Sequence, residues 1–330
     1  MKWKREKSGR ARRFAAALGV LVALAFVPVR AQRIGDRSIA PSHQAAPATR
    51  PTAPGGLTFS VAADMRNFTA GDYAGDQYFR GVLEAMKKLG VGAFLLSPGD
   101  VGPPAGVRHD IDEVLGKDFI WYPLPGNHDE DTASNMTWLR QWGAKAIPHL
   151  VRRGPDGAAQ TMYSFDWANV HLVALNEYYV GPGKPETAGG EINAAILDWL
   201  KTDLGATRQP VIFVSGHEPI NAFPDMDSGR IRHVGESLDR DPATDKAFED
   251  LLKAHHVVAF ICGHTHNCSI RDLGGGLWQL AAGHARGDGD TGSPSTFLRV
   301  KVTPEGKASV EAYRRAKDNS YPLRGTWKLD

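Results

Sequence analysis

The sequence predicts an α/β protein: a layered α/β/β/α sandwich of two mixed β-sheets flanked by helices. Two observations support this prediction. Between residues 57 and 262, apolar and β-branched runs alternate with segments of helical periodicity, which is typical of a largely parallel sheet. From residue 276 onward, three β segments follow one another without a helix between them, which predicts a second sheet packed on the first.

The first 31 residues predict a removable signal peptide. A basic stretch, "MKWKREKSGRARR", precedes a 16-residue apolar run (residues 14–29), and the triplet Val-Arg-Ala at 29–31 resembles a small-x-small cleavage site. The run is shorter than the ~20 residues that span a bilayer, which favours cleavage over a retained membrane anchor. We expect export to the periplasm or the cell exterior. General and twin-arginine export both stay open, because Arg12 and Arg13 precede the run.

Residues 32–56 are rich in Pro and Ala and lack apolar periodicity, which predicts a disordered tether before a folded domain at 57–330. The signal segment holds eight of the 39 Lys and Arg residues and one of the 37 Asp and Glu residues. Its removal therefore changes the formal net charge from +2 to −5. A mildly acidic chain without a basic run among aromatic residues disfavours nucleic acid as the main partner.

Each element within the domain is predicted from its own pattern. Strands are predicted where apolar runs end in Gly and polar residues, at 57–64, 91–100, 118–129, 210–219 and 257–262, with a hairpin at 163–177. Helices are predicted where apolar residues recur every three or four positions, at 76–90, 191–205 and 245–256. Asp76 is expected to cap the first helix and Gly90 to end it. The late β segments are 276–283, 295–302 and 307–315.

The chain has two cysteines, Cys262 and Cys268, too few for a disulfide scaffold. In an exported protein they could pair, but Cys262 ends a predicted buried strand, which favours a free buried thiol. A structural zinc site that also uses His264 and His266 is disfavoured. In an extended strand the two cysteines would lie ~20 Å apart, whereas zinc ligands sit ~2.3 Å from the metal.

Polar side chains follow five predicted strands where each strand ends. They are Asp64, Asp100, Asn127 with His128, His217, and His264 with His266. Ligands of open α/β sheets bind outside the carboxyl ends of the strands, so we expect these groups at one rim. Carboxylates, an amide and imidazoles without thiolate suit Zn, Mn or Fe. A cap or turn role explains any one of them alone but not five coincident strand ends. The histidines without such a position are assigned structural roles: His43, His149, His171, His233, His255 and His256.

The motifs "GD" at 99–100, "GNHD" at 126–129, "GH" at 216–217 and "GHTH" at 263–266 resemble those of the calcineurin-like metallophosphoesterase superfamily over residues 57–285. The resemblance implies a two-metal hydrolase of phosphate esters with helices flanking a β-sandwich. It also implies residue roles: Asp100 bridges the metals, Asp64 and His266 bind one ion, Asn127, His217 and His264 bind the other, and His128 is the catalytic histidine.

General chemistry agrees with these roles. Two divalent ions ~3.5–4 Å apart can clamp the attacking and leaving oxygens, and a metal-activated hydroxide forms near pH ~7 to attack phosphorus. The leaving alkoxide needs a proton, which His128 can supply because an unperturbed imidazole has a pKa near ~6.5. A bridging ligand must be anionic with two oxygens, and Asp100 satisfies this requirement.

The first motif departs from the family's pattern. Where Asp-x-His is usual, this chain has Asp64-Met65-Arg66, and a guanidinium stays protonated and cannot coordinate a metal. The first site is therefore one ligand short, and three alternatives stay open. Water or a side chain near in sequence fills the gap; the first site is weak or empty; or the protein is a binding module without catalysis. The side chains near in sequence are Asp72, Tyr73, Asp76 and His109.

Two residues are expected to contact the substrate. Arg66 offers a cationic fork that suits a phosphate oxygen, with a salt bridge to an adjacent Asp as the structural alternative. His284, in "AAGHARGDGD", follows the β segment after the "GHTH" loop and is expected to face the same cleft.

The sequence therefore predicts an exported hydrolase of phosphate esters, a phosphomonoesterase or phosphodiesterase that uses two divalent or transition metal ions (Mn, Fe or Zn). Its partner is a small-molecule or other phosphate ester, and a stable membrane anchor is not expected. The alternative is a non-catalytic exported binding protein that retains the fold. His128 and Asp100 argue against this alternative, and Arg66 argues for it. Substrate, metal identity and oligomeric state are not specified by the sequence.

Overall fold

The structure is a computed structural model that describes residues 55–329 except Ala146, Pro185 and Ala188. The predicted signal peptide and all of the predicted tether before Gly55 lie outside the described residues. None of the helices in the described part has the length and hydrophobicity that a bilayer span requires.

The first sheet contains six described strands. Numbered along the chain, they are β1 (Leu57–Val61), β2 (Leu95–Ser97), β3 (Trp121–Pro123), β11 (Thr296–Val302), β12 (Ala308–Arg314) and β13 (Leu323–Lys328). Their order is β13-β12-β11-β1-β2-β3. β1, β2 and β3 are parallel to one another, whereas β11 is antiparallel to β1. The carboxyl ends of the three parallel strands therefore lie at the same edge of the sheet.

The second sheet contains seven described strands. They are β4 (Leu150–Arg153), β5 (Tyr163–Trp167), β6 (Val170–Ala174), β7 (Val211–Ser215), β8 (Ala259–Cys262), β9 (Cys268–Asp272) and β10 (Trp278–Ala282). Their order is β4-β5-β6-β7-β8-β10-β9. β6, β7, β8 and β10 are parallel, so this sheet also collects the carboxyl ends of successive strands at one edge.

Helices cover the outer face of each sheet. The described α-helices are α1 (Phe79–Leu89), α2 (Pro104–Val114), α3 (Asn127–Glu130), α4 (Ala133–Ala144), α5 (Ala194–Ala206) and α6 (Pro242–Ala254). Apolar residues of α1, α2 and α4 pack with those of the first sheet, and those of α5 and α6 pack with the second. The helices thus remove from water the sheet faces that point away from the centre of the molecule.

The two sheets bury their inner faces against each other. Phe59 of β1 and Phe94, directly before β2, meet Phe213 and Phe165 of the second sheet, with ring centroids 5.9 and 5.7 Å apart. All four rings are at most 1% exposed, and burial of each contributes about 1.5–3 kcal/mol relative to exposure. The predicted α/β/β/α sandwich with two mixed sheets is confirmed.

Two details of the element prediction are wrong. Asp76 does not cap α1, which begins at Phe79 after Tyr78 and has no side-chain cap; Gly90 does end it, with φ of 90°. The late β segments do not form the second sheet by themselves. β10 joins the second sheet beside β8, whereas β11 and β12 join the first because the open edge of β1 pairs with β11.

The two cysteines are free and buried, as favoured from the sequence. Cys262 lies in the apolar layer between the second sheet and its helices, and Cys268 lies in the layer between the sheets. Their side chains therefore belong to opposite faces of the second sheet, and neither the disulfide nor the structural zinc site is formed.

Candidate metal centre

Strand ends from both sheets meet at one place. Asp64 follows β1 and Asp100 follows β2, while His217 and His264 follow β7 and β8 of the other sheet. The Oδ2 atom of Asp64 accepts a hydrogen bond of 2.9 Å from the backbone N–H of His264. Oδ1 of Asp100 lies 3.6 Å from Nε2 of His217. The structure therefore brings together groups that are up to 200 positions apart in the chain.

The glycines of the motifs make this approach possible. A Cβ atom on Gly99 would lie 2.2 Å from Nδ1 of His217, and one on Gly263 would lie 2.5 Å from Oδ2 of Asp64. Both separations are far inside van der Waals contact. The residue before each of Asp100 and His264 must therefore lack a side chain for the two sheets to bring their polar groups together.

The backbone turns sharply where these polar groups stand. Asp64, Asp100, His264 and His266 all have φ between 53° and 66°. The left-handed conformation costs a non-glycine residue about 1–2 kcal/mol, and such strain accumulates at functional sites. Each of these turns follows the end of a parallel strand, where the side chain leaves the sheet and faces the common rim.

Asp64, Asp100 and His266 form the first group of potential ligands. Their nearest ligand atoms lie within 4.8 Å of one another. Nδ1 of His266 lies 2.6 Å from Oδ2 of Asp290, and Nε2 lies 3.5 Å from Oδ1 of Asp64. Asp290 accepts a hydrogen bond from Nδ1–H, which leaves the Nε2 lone pair of the neutral ring facing Asp64. Burial lowers the pKa of His266 to about 3, so its ring is in the neutral form that binds metals.

Asn127, His217 and His264 form a second group beside Asp100. Nδ1 of His217 donates to the carbonyl oxygen of Pro98 at 2.8 Å, and its Nε2 lies 3.2 Å from Oδ1 of Asn127. The rings of His217 and His264 are 5.1 Å apart. Within the described residues, no hydrogen-bond partner reaches the buried Nε2 of His264. The Nε2 atom of His264 is therefore available to coordinate a metal ion.

The electrostatics of the cluster agree with a cation site. Burial, together with the charge of Asp100, raises the pKa of Asp64 to about 7 although His217 opposes the shift. Burial disfavours a charge on His217, yet Asp100 and Asp64 raise the pKa of His217 to about 9. Oδ1 of Asp64 has no hydrogen-bond partner among the described residues. The donor set and its orphaned buried atoms therefore fit divalent metal ions.

His128 lies beside these groups rather than within them. Its backbone N–H donates to Oδ1 of Asp100 at 3.1 Å. Its side chain is 40% exposed, and its Nδ1 is 3.4 Å from Oδ2 of Asp131. Burial lowers the pKa of His128, Arg66 lowers it as well, and Asp100 raises it. The ring thus borders the centre and remains open to solvent.

Arg66 stands where the family's pattern has a metal ligand. Its Nε lies 3.3 Å from Oδ2 of Asp100, and its side chain is 27% exposed. The carboxylate partner expected as the structural alternative is thus Asp100, a member of both ligand groups. The side chains considered as replacement ligands, Asp72, Tyr73, Asp76 and His109, are exposed and do not belong to the cluster.

His284 lies behind the site. It is fully buried, and its ring is 5.9 Å from that of His266. Its Nε2 donates to the carbonyl oxygen of Ser293 at 2.9 Å, and its Nδ1 accepts from the backbone N–H of Arg286 at 3.2 Å. Both ring nitrogens are therefore engaged with the backbone, and this position does not support the expected substrate contact.

Three residues near the ligands were not singled out from the sequence. Asp290 orients His266. Arg286 is 7% exposed and donates from Nε to the backbone oxygen of Asp64 at 2.8 Å. The His233 ring lies 4.4 Å from that of His264, and its φ is 59°. The sequence feature that could have pointed to Arg286 and Asp290 is their position in the loop after β10. His233 lies in a long loop without a recognisable sequence pattern.

Sequence comparisons give consistent relatives. The family model described as calcineurin-like phosphoesterase matches residues 58–268. Tartrate-resistant acid phosphatase type 5 of Rattus norvegicus is 25% identical over 174 residues, which cover 51% of this chain and 49% of that protein. The Sus scrofa protein of the same name is 22% identical over 221 residues, covering 62% and 61%. The chain therefore spans about half to three fifths of the length of these curated relatives.

Solved structures share the fold at low sequence identity. Purple acid phosphatase PPD1 from Lupinus luteus aligns with a TM-score of 0.55 and 11% identity over 84% of this chain and 54% of that one. PhoD aligns with a TM-score of 0.56 and 12% identity over 85% and 71%. A dimetal phosphatase from Danio rerio aligns with a TM-score of 0.50 and 15% identity over 81% and 98%.

Proposed function

The chain belongs to the calcineurin-like phosphoesterase family, and from this membership we propose that it is an exported, metal-dependent phosphomonoesterase or phosphodiesterase. The observation that carries the proposal is the convergence of six potential ligands from two sheets on one largely buried cluster. Those six are Asp64, Asp100, Asn127, His217, His264 and His266. The proposal of export depends on the sequence of residues 1–31, outside the described part.

The proposed ligand sets follow the two groups of the cluster. Asp64, Asp100 and His266 would hold one ion, and Asn127, His217 and His264, together with Asp100, would hold the other. Imidazole, amide and carboxylate donors suit Mn, Fe or Zn. Divalent ions bound there would polarise a phosphoryl oxygen and lower the pKa of water.

His128 is proposed to hold the proton that the leaving alkoxide requires. Its ring is solvent-accessible at the border of the cluster, and the hydrogen bond from its backbone to Asp100 fixes its position against the expected bridging ligand. Asp131, 3.4 Å from Nδ1, favours the protonated ring, whereas burial disfavours it. A general acid in such a position typically contributes ~10²–10⁴-fold to the rate.

Arg66 is proposed to bind a phosphate oxygen of the substrate. Its guanidinium carries five N–H donors, and contact of Nε with Asp100 leaves the terminal nitrogens for another anion. Arg286 adds a second positive charge beside Asp64. A phosphate group carries the negative charge that two guanidinium groups would stabilise.

Activity assays of the full chain with p-nitrophenyl phosphate and bis-p-nitrophenyl phosphate test this function. We expect turnover that requires added Mn²⁺, Zn²⁺ or Fe²⁺. His128→Ala is expected to lower kcat by ~10²–10⁴-fold while metal content stays unchanged. His109→Ala, which removes an exposed imidazole from α2, is the matched control and is expected to retain full activity.

The same assays decide between catalysis and binding alone. Bound metal without turnover of either ester would favour the non-catalytic binding protein, which Arg66 in the first motif suggests. Equal activity of wild type and His128→Ala would remove the assigned role of His128 but would leave the hydrolase proposal intact.

A further inference from the structure

The two carboxylate oxygens of Asp100 face different partners. Oδ1 accepts from the backbone of His128 at 3.1 Å and lies 3.6 Å from Nε2 of His217. Oδ2 lies 3.3 Å from Nε of Arg66. A guanidinium stays protonated and has no lone pair for a metal. The oxygen of Asp100 that does not face His217 therefore already lies beside a positive charge.

Arg286 places a second guanidinium on the same side. It is 7% exposed, its Nε donates to the backbone oxygen of Asp64, and its guanidinium carbon lies 5.7 Å from the centre of the Phe68 ring. Burial lowers the pKa of Arg286 and Arg66 lowers it further, whereas Asp64 and Asp100 raise it. Arg286 thus adds a positive charge beside Asp64, while Arg66 lies beside Asp100.

The two ligand groups therefore differ in the charged side chains that surround them. On the side of Asp64, Asp100 and His266, Arg66 lies beside Asp100 and Arg286 lies beside Asp64 before any ion binds. On the other side, Asn127, His217 and His264 are neutral ligands when Nε2 of each imidazole is free for the metal, and Oδ1 of Asp100 supplies the negative charge. Arg66 and Arg286 repel a divalent ion on the first side, whereas the charge of Arg232 acts on His264 and His266 alike and does not distinguish the two sides.

We propose that Arg66 and Arg286 take the place of one metal charge, so that the chain binds one divalent ion tightly and a second only weakly. The tight ion is held by Asp100, Asn127, His217 and His264, and the weak position is the one that Arg66 borders. This inference rests on the proposed function, because it concerns the metals of the same site. It also explains why Arg66 is suited to a substrate phosphate oxygen, which a second ion would otherwise contact.

Metal stoichiometry of the full chain tests the inference without an activity measurement. The probe is Mn²⁺, with retained metal counted by mass spectrometry after dialysis and affinities measured by calorimetry. Wild type is expected to retain one ion, with a second step at least about tenfold weaker. Arg66→His removes the positive charge and restores an imidazole, so it is expected to retain two ions. The EPR spectrum should change from that of an isolated Mn²⁺ ion to that of a coupled pair.

Two further variants separate the causes. Arg66→Gln removes the charge without adding a ligand, so the second step should strengthen by less than in Arg66→His. Arg271→His adds an imidazole at an exposed position on β9, where the arginine lies against Phe223, and should still retain one ion. Circular dichroism and thermal unfolding check that each variant is folded.

Several results would overturn the inference. Wild type that retains two ions of equal affinity would contradict it and leave the hydrolase proposal standing. Folded Arg66→His that still retains one ion, with the second step unchanged, would also contradict it. Wild type that binds no Mn²⁺, Zn²⁺ or Fe²⁺ would refute the metal-dependent function itself, and the inference with it.

Discussion

At the scale of single residues, the site depends on residues that would not themselves bind the metals but orient the side chains that would. Asp290 accepts a hydrogen bond from Nδ1–H of His266 and is itself held by Arg230 at 3.2 Å and by the backbone N–H of Gly292 at 2.7 Å. The carbonyl oxygen of Pro98 does the same for His217. In both histidines the partner of Nδ1 determines that Nε2 faces the cluster, and such partners set the affinity of metal sites.

Gly99 provides a test at this scale. Gly99→Ala would place a Cβ atom 2.2 Å from Nδ1 of His217 in a backbone with φ of 82°. Gly116→Ala, with φ of 102° and nothing within 4 Å of the new Cβ, is the matched control for backbone strain alone. Gly99→Ala is expected to lower the free energy of unfolding by about 1–3 kcal/mol more than the control, as measured by urea denaturation.

The same variant should also weaken metal binding, because the ring of His217 must move away from Asn127. Calorimetry with Mn²⁺ is expected to show weaker affinity for Gly99→Ala than for Gly116→Ala. Equal stability and equal affinity of the two variants would show that a side chain at position 99 fits between β2 and β7, and would contradict the requirement for glycine there.

At the scale of elements, a buried histidine joins α5 to the second sheet. His171 in β6 lies 2.7 Å from Oδ1 of Asp166 and 3.0 Å from Oδ2 of Asp203 in α5, and Nε of Arg152 in β4 lies 3.1 Å from the other oxygen of Asp203. Burial disfavours a charged ring, but the two carboxylates outweigh it and raise the pKa of His171 to about 9. The ring is therefore charged and paired at neutral pH.

This cluster predicts a pH dependence of stability. The pKa of His171 is about 9 in the folded chain and about 6.5 when unfolded. Its stabilisation is therefore fully present below pH ~6.5 and is lost as pH rises through ~9, with an upper bound of about 3 kcal/mol. Urea denaturation between pH 6 and pH 10 should show a steeper loss in wild type than in His171→Asn.

His109→Asn, at an exposed position on α2, serves as the control and should show the wild-type slope. Because wild type and both variants keep the metal-site residues, titration of those groups cancels in the comparison. A His171→Asn slope equal to that of wild type would show that the ring is not protonated in the folded chain.

At the scale of the whole molecule, an ion pair connects the two sheets beside the site. Arg314 in β12 of the first sheet donates from Nη2 to Oδ2 of Asp225 at 2.7 Å, and the same oxygen accepts from the backbone of Cys268 in β9 of the second sheet. Asp225 lies in the same loop as His233, between β7 and α6. Burial favours the neutral acid, but hydrogen bonds from Arg314 and Ser228 lower the pKa of Asp225 to about 2.

Breaking this pair is expected to affect the entire fold. Arg314→Met leaves the Asp225 carboxylate buried without its cation, which typically costs about 3–5 kcal/mol of stability; urea denaturation measures it. Adding Asp225→Asn should recover part of the loss. Arg324→Met, which removes an exposed partner of Asp227, should cost about 0–1 kcal/mol. A loss in Arg314→Met no larger than in Arg324→Met would contradict the assigned role.

The features that could be predicted from the sequence are those that depend on local patterns of residues. The α/β class follows from the alternation of β-branched runs and helical periodicity, because both are local properties of the chain, whereas the assignment of the late strands to the two sheets is not local. Gly99 and Gly263 can also be read from the sequence, because a glycine at the end of an apolar run indicates a turn or a close contact even when the contacting residue is unknown. Helix α2, with a proline at its start and a mixed surface, and the short strands β4 and β9 lack such a signal and were not predicted.

The sequence by itself determined the fold class and the polar groups at the carboxyl ends of β1, β2, β3, β7 and β8. The tertiary structure alone decided which partners those groups contact. Arg66 contacts Asp100, Arg286 contacts Asp64, and Asp290 contacts His266. The ring of His284 is hydrogen-bonded to the backbone. The physical reason is that the spacing of apolar residues along the sequence indicates only whether a side chain faces the core. The partner it meets there depends on how the two sheets pack, and that can involve a residue as far as 222 positions away.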